Sequence, residues 1–168
     1  MFEGHVFPPN KGEYIKKRRA GITKGDKCIL CSVRDGLAEV DNLEVYRRDG
    51  FIVSVNLYPY NPGHVIIFPE RHVEKLGELE PGERITLVEL TVEVMDVLDR
   101  EYAPQGYNTG MNIGAASGAS ISHLHAHVVP RYSSELGFMD IVGGAKIYIE
   151  NPLTTVERLR EAFNKGGR

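Results

Sequence analysis

Residues 123–129 read His-Leu-His-Ala-His-Val-Val. Polar and apolar residues alternate, the pattern of a β-strand with two unlike faces. Side chains at i, i+2 and i+4 of a strand point the same way. His123, His125 and His127 therefore share a face, with neighbouring Cα atoms roughly 6.5–7 Å apart. Leu124, Ala126 and Val128 take the other face. The whole chain has six histidines, and half of them fall within these five residues. A structural strand has no need of that. Imidazole titrates near neutral pH, attacks phosphorus and binds metals, so the face invites chemistry.

The rest of the chain supplies a sheet for this strand. Leu43 to Arg48 and Phe51 to Leu57 are β-rich runs joined at Asp49-Gly50, a strong two-residue hairpin signal. Pro59, Asn61, Pro62 and Gly63 break the chain, and His64 to Phe68 reads as a short buried strand. A helix opens at Glu80-Pro81-Gly82-Glu83 and runs to about Tyr102. Ile85, Val88, Val92 and Met95 form its expected core stripe, widened by Leu87, Val94 and Leu98. Gly106 to Ile113 reads as another strand, and Pro130 is expected to stop the histidine strand. Lys146 to Glu150 reads as a last short strand. Thr154 or Thr155 is expected to cap a short C-terminal helix, Val156 to Asn164. Hairpin-linked strands with one long helix inserted give an α+β domain on an antiparallel sheet of about five strands.

With 168 residues, the sequence fits one domain over 1–168. Within it, 1–27 reads as an irregular arm and 133–168 as a C-terminal extension. The net charge of −3 gives no reason to expect nucleic-acid or membrane attraction. The local basic run Lys16-Lys17-Arg18-Arg19 reads as a solvated segment, and His5 as incidental. No apolar run approaches the roughly 20 residues that span a bilayer, and no signal peptide is visible. A cytoplasmic protein is expected. The two cysteines, Cys28 and Cys31, are three apart, a spacing that points to metal or redox chemistry more than to a structural disulfide.

Ahead of the histidines runs Gly114-Ala-Ala-Ser-Gly118-Ala-Ser120. Small residues let backbone N–H groups approach an anion, and Ser120 adds a hydroxyl donor. It is not a P-loop, since no Gly-Lys-[Ser/Thr] and no following helix are present. The histidines then allow two readings. Two or three of them bind a catalytic metal. Alternatively, one imidazole is a nucleophile and another a proton donor. No Asp or Glu lies between Asn112 and Arg131 to complete a catalytic metal site, whereas the loop offers a cradle for an anionic substrate.

The histidine segment resembles the His-φ-His-φ-His-φ-φ signature of the histidine-triad (HIT) superfamily of nucleotide hydrolases and transferases. Asn56 to His64, followed by Val-Ile-Ile-Phe-Pro, resembles the family's nucleotide-pocket strand and Pro-Gly-His turn. Asn112-x-Gly114-x-x-x-Gly118-x-Ser120 resembles its phosphate loop. The resemblance covers about Cys28 to Tyr132. Gly137-Phe138-Met139 and Gly143-Gly144-Ala-Lys resemble the tail of members that cleave diadenosine polyphosphates.

The resemblance implies a HIT-like fold and a set of roles. His125 would attack the α-phosphorus, giving a covalent nucleotidyl-imidazole. His127 would protonate the leaving group, and His64 would support the triad. Asn112, Gly118 and Ser120 would hold phosphate oxygens, and Asn56 the ribose. Cys28, Cys31, His72 and His123 would hold a structural zinc. One position departs: Ala119 stands where the family often has Gln, which bears on the acceptor and leaving group. The third histidine is retained, which disfavours sugar-nucleotide transfer. The implied activity is hydrolysis or phosphorolysis of a dinucleoside polyphosphate or related nucleotide conjugate. Nucleoside phosphoramidate hydrolysis and a non-catalytic nucleotide-binding sensor are the alternatives. The implied partners are a nucleotide and a second copy of the chain, a homodimer.

Overall fold

The computed structural model describes residues 28–38, 40–133, 135–136 and 150–166. The expected arm with its basic run and His5, the tail motifs of 137–146 and the strand expected at Lys146 to Glu150 lie outside the described residues, apart from Glu150 itself. Strands β1 (Glu44–Arg48) and β2 (Phe51–Val55) form the expected hairpin. Its turn residues Asp49 and Gly50 have φ of 50° and 78°, as a type I′ turn requires. With β3 (Val65–Pro69), β4 (Gly106–Gly110) and β5 (Ala126–Arg131) they make a five-stranded sheet in the order β1-β2-β3-β5-β4. Every pairing is antiparallel, which is the expected α+β architecture.

Strands β2 and β3 are buried along their whole length because both faces are covered. Phe51, Val53, Val55, Val65 and Ile67 enter the main core. That core also takes Leu87, Leu90 and Val94 from α2 (Pro81–Tyr102) and Val156, Leu159 and Phe163 from α3 (Pro152–Gly166). On the opposite face Ile52, Ile66 and Phe68 pack with Leu30 and Val33 of α1 (Ile29–Arg34). Two-sided burial is what gives such strands continuous apolar runs. Leu124, Ala126 and Val128 belong to the main core, so the neighbouring histidines face the α1 side.

Three expectations are corrected. The helix stripe chosen from periodicity is not the core face: Ile85, Val88 and Val92 are 64%, 62% and 51% exposed, and Met95 is half-buried. Leu87, Val94 and Leu98, expected only to widen that stripe, carry the packing together with Leu90 and Val97. This helix has apolar residues on more than one side, so spacing alone does not choose between stripes. Second, the C-terminal helix starts at Pro152 rather than at Thr154 or Thr155. Asn151 Oδ1 accepts the Leu153 N–H at 3.0 Å, and Pro152 fills a first-turn position that needs no donor. Third, Pro130 does not end the histidine strand but pairs with Tyr107 inside it. Its carbonyl turns toward the β3 side, where Asn61 Nδ2 donates to it at 2.7 Å. Pairing of β3 with β5 reaches only Val128, so the missing proline N–H leaves no ladder bond unmade.

The turn before β3 is tight. Gly63 has φ of 77°, and a Cβ there would lie 3.2–3.3 Å from Leu98, Pro130 and Tyr102. Glycine at this point lets the chain pass under the long helix and deliver His64 to the sheet.

Candidate functional site

Strand β5 begins at Ala126, so of the three alternating histidines only His127 sits in the ladder, opposite Ile66 and Gly110. His123 and His125 lie on the approach to it, where the Leu124 N–H bonds the Val73 carbonyl at 2.7 Å. The alternation survives, and each ring meets different neighbours.

His123 is fully buried, and its Nε2 lies 2.9 Å from the Pro69 carbonyl. A carbonyl only accepts, so Nε2 carries the hydrogen and Nδ1 keeps its lone pair. That Nδ1 is 3.5 Å from Cys28 Sγ and 3.6 Å from Cys31 Sγ. His72 Nδ1 stands 3.4 Å from Cys31 Sγ. The four donor atoms lie within 4.8 Å of one another. Sulfur and nitrogen ligands of a tetrahedral zinc are about 3.6 Å apart by ordinary bond lengths, so the set fits a closed four-ligand metal site. The cysteines are delivered by the start of α1: Cys28 is its N-cap and Cys31 its third residue, one turn apart. His125 and His127 are not part of the group.

His125 is 6% exposed, and its Nδ1 lies 2.8 Å from the carbonyl of His123. By the same reasoning Nδ1 carries the hydrogen, and the Nε2 lone pair is free. The His125 and His127 ring centroids are 4.9 Å apart.

His64, fully buried, sits behind His127. The Tyr60 backbone N–H donates to His64 Nδ1 at 3.0 Å. His64 Nε2 must then carry its hydrogen, and it donates to His127 Nδ1 at 3.0 Å. His127 in turn carries its own hydrogen on Nε2. One backbone amide thus sets two tautomers in series. Burial, aided by His127 and His125, pushes His64 down to about 3. Burial and His125 push His127 down to about 4. Both rings are neutral at neutral pH.

His127 opens on a cavity of about 550 Å³ at the β4–β5 end of the sheet. Tyr60, Asn61, Asn108, Asn112, Arg131 and Glu135 are among its lining residues. Of the loop residues expected to hold phosphate, Asn112 lines it, while exposed Gly118 (φ 82°) and Ser120 do not. Asn56 does not line it either: its Nδ2 lies 3.4 Å from the acceptor nitrogen His64 Nδ1, and its Oδ1 accepts the Tyr58 N–H. Tyr60, Asn61, Asn108, Arg131 and Glu135 also line this cavity, and sequence reasoning did not name them as candidates. Tyr60 and Asn61 stand inside the quoted turn motif, and Arg131 directly follows Pro130. Asn108 and Glu135 carry no signal of their own.

The HIT domain family model matches residues 38–134, more than half of the chain. The protein belongs to the HIT family. An AP-4-A phosphorylase of Mycobacterium tuberculosis is 38% identical over 112 residues, covering 66% of this HIT protein and 57% of that relative. An asymmetrical bis(5'-nucleosyl)-tetraphosphatase of Schizosaccharomyces pombe is 32% identical over 97 residues, 58% of this chain and 53% of that one. The HIT protein thus spans little more than half the length of these relatives. Among solved structures, a Zn-bound histidine triad family protein from Mycobacterium smegmatis superposes with a TM-score of 0.68 at 20% identity. That match covers 83% of this chain and 94% of the other, and shows the shared fold. No described helix is long and apolar enough to cross a membrane.

Proposed function

We propose that this HIT protein is a nucleotidyl hydrolase or phosphorylase. It cleaves a dinucleoside polyphosphate at the α-phosphate through a covalent intermediate on His125. One observation carries the reading: the His123 carbonyl holds His125 Nδ1–H at 2.8 Å, freeing Nε2 beside the His127 ring. The relatives named as an AP-4-A phosphorylase and a tetraphosphatase support the substrate class.

In the first step the Nε2 lone pair forms an N–P bond to the α-phosphorus, and the P–O bond to the polyphosphate breaks. The electron pair leaves on that oxygen, which His127 Nε2–H hydrogen-bonds. Asn112, Gly118 and Ser120 hold phosphate oxygens, and Asn56 takes the ribose. In the second step water or inorganic phosphate attacks the same phosphorus, and the pair of the N–P bond returns to Nε2. Water gives a nucleoside monophosphate and releases a proton, and phosphate gives a nucleoside diphosphate. A polyphosphate departs as a stable anion, so a neutral imidazole N–H serves it well. An amine must take a full proton to leave. The Nε2–H of His127 suits the anionic leaving group, and the named relatives favour the polyphosphate.

Cys28, Cys31, His72 and His123 would hold a zinc ion and so fix the start of α1 to the histidine segment. Four protein ligands would leave it no open position, so its part would be structural. The Pro69 carbonyl orients His123 for it. The partner is a second copy of the chain. The exposed Ile85, Val88 and Val92 stripe and the edge strand β4, which has no second neighbour among the described residues, adjoin, since Tyr107 of β4 bonds Met95 and Asp99 of the helix.

The test is a product assay on diadenosine tetraphosphate with and without phosphate. AMP plus ATP without phosphate means a hydrolase, and ADP formed only with phosphate means a phosphorylase. Binding without turnover under both conditions would leave a sensor and sink the enzyme reading.

A further inference from the structure

The cavity beside His127 holds more chemistry than attack on phosphorus uses. His127 lines it, whereas His125 and His64 do not. In an in-line displacement the leaving group departs on the side away from the nucleophile. His127, assigned above to the departing oxygen, is the histidine open to this space.

Its walls suit a nucleoside polyphosphate. Arg131, with a side chain 51% exposed, donates from Nε and Nη2 to Glu135 at 2.6 and 2.9 Å. Its Nη1 donates to Asn108 Oδ1 across the β4–β5 pair. These contacts orient the guanidinium and occupy three of its five N–H groups, leaving two for phosphate oxygens. Glu135 is itself held by Asn61 Nδ2 at 2.9 Å and the Tyr132 N–H at 2.8 Å, so the clamp has a fixed base. Tyr60 is 57% exposed, and one ring face is stacked on His64 with centroids 5.0 Å apart. The ring also lies 6.2 Å from that of His127, and among the described residues no other ring packs on the face turned from His64, which suits it to stack on a base.

We propose that this cavity is the leaving-nucleotide subsite, with Arg131 and Asn108 taking the departing polyphosphate and Tyr60 stacking on its base. The proposal rests on the nucleotidyl-transfer reading above. It makes the protein selective for substrates whose leaving half is a second nucleotide.

The experiment compares kcat/KM for diadenosine tetraphosphate with that for adenosine 5'-phosphoramidate, whose leaving group is too small to reach the subsite. Wild type, Arg131→Gln and Tyr60→Ala are measured side by side. The ratio of the two values is expected to fall about tenfold in Arg131→Gln, the loss of a charged hydrogen bond. It is expected to fall about fivefold in Tyr60→Ala, chiefly through KM, from lost stacking. Tyr60→Ala keeps the backbone N–H that serves His64, so it reads the subsite even where Arg131→Gln disturbs the Glu135 clamp. A ratio unchanged in both variants overturns the subsite while leaving nucleotidyl transfer standing. A wild type that cleaves neither compound overturns both.

Discussion

The rings of His123 and His127 stand four residues apart on one side of the chain, and each has a nitrogen fixed by a neighbour. At His123 the Pro69 carbonyl takes the Nε2 hydrogen and turns Nδ1 toward two thiols. At His127 a second imidazole donates to Nδ1 and leaves Nε2–H facing a cavity. The residue type is the same, and the group bound to one nitrogen decides what the other does. A carbonyl behind the ring leaves a lone pair in front, as at His123 and His125. A donor behind the ring makes a donor in front. On this account the histidine segment joins a metal staple to a reaction centre, and each half can be broken separately.

The largest expected effect falls on the reaction half. His125→Ala should lower turnover at least about 10³-fold, as loss of a nucleophile does, with zinc content and melting temperature close to wild type. Next comes the staple. Structural zinc in small sites binds with an apparent free energy of about 10–16 kcal/mol, so Cys28→Ser should lose stoichiometric zinc by elemental analysis and melt more than about 10 °C lower. Zinc retained unchanged in that variant would break the four-ligand assignment. A smaller effect is expected from His64→Ala, which removes the donor behind His127 and should lower kcat about 10- to 100-fold. His64→Gln, whose amide N–H still donates, should recover part of that loss. A merely space-filling His64 would give no such rescue.

The smallest effect is on stability against pH. His64 and His127 titrate below the ordinary histidine value of 6.5, at about 3 and about 4. Between pH 6.5 and about 4 the unfolded chain takes up protons that the folded one refuses. The stability from the neutral pair is therefore complete above 6.5 and is lost as pH falls through this window. Melting scans should drop by on the order of 5 °C from pH 7 to pH 5, since one pKa unit is about 1.4 kcal/mol. The drop should shrink in His64→Gln, which removes the more deeply shifted group.

Much of this was legible in the sequence because it depends on local pattern. Alternation assigned the histidines to one side, Asp49-Gly50 announced the hairpin, and the Cys-x-x-Cys spacing pointed to metal or redox chemistry. The long helix shows where pattern stops: Ile85, Val88 and Val92 obey helical spacing as well as Leu87, Leu90 and Val94, and only the sheet decides which stripe is covered. Pro130 misled for a related reason, since a proline is tolerated in a strand whose neighbour has already ended. The tautomer chain was not legible at all. It depends on the Tyr60 N–H meeting His64 across a turn, and on His64 meeting His127 over 63 residues of sequence. Arg131 and Glu135 are ordinary surface residue types until Asn61 and Asn108 fix them at a cavity wall.

The central claim is that the histidines divide their labour, with His125 alone forming a bond to phosphorus. Intact-mass and peptide-mapping spectrometry of protein mixed with diadenosine tetraphosphate tests it most directly, using an alkaline quench because a phosphorus–nitrogen bond survives base. The account predicts a single nucleoside monophosphate adduct on His125, absent in His125→Ala and present in His64→Gln. An adduct on His123 or His127, or turnover with no adduct on any histidine, would contradict it.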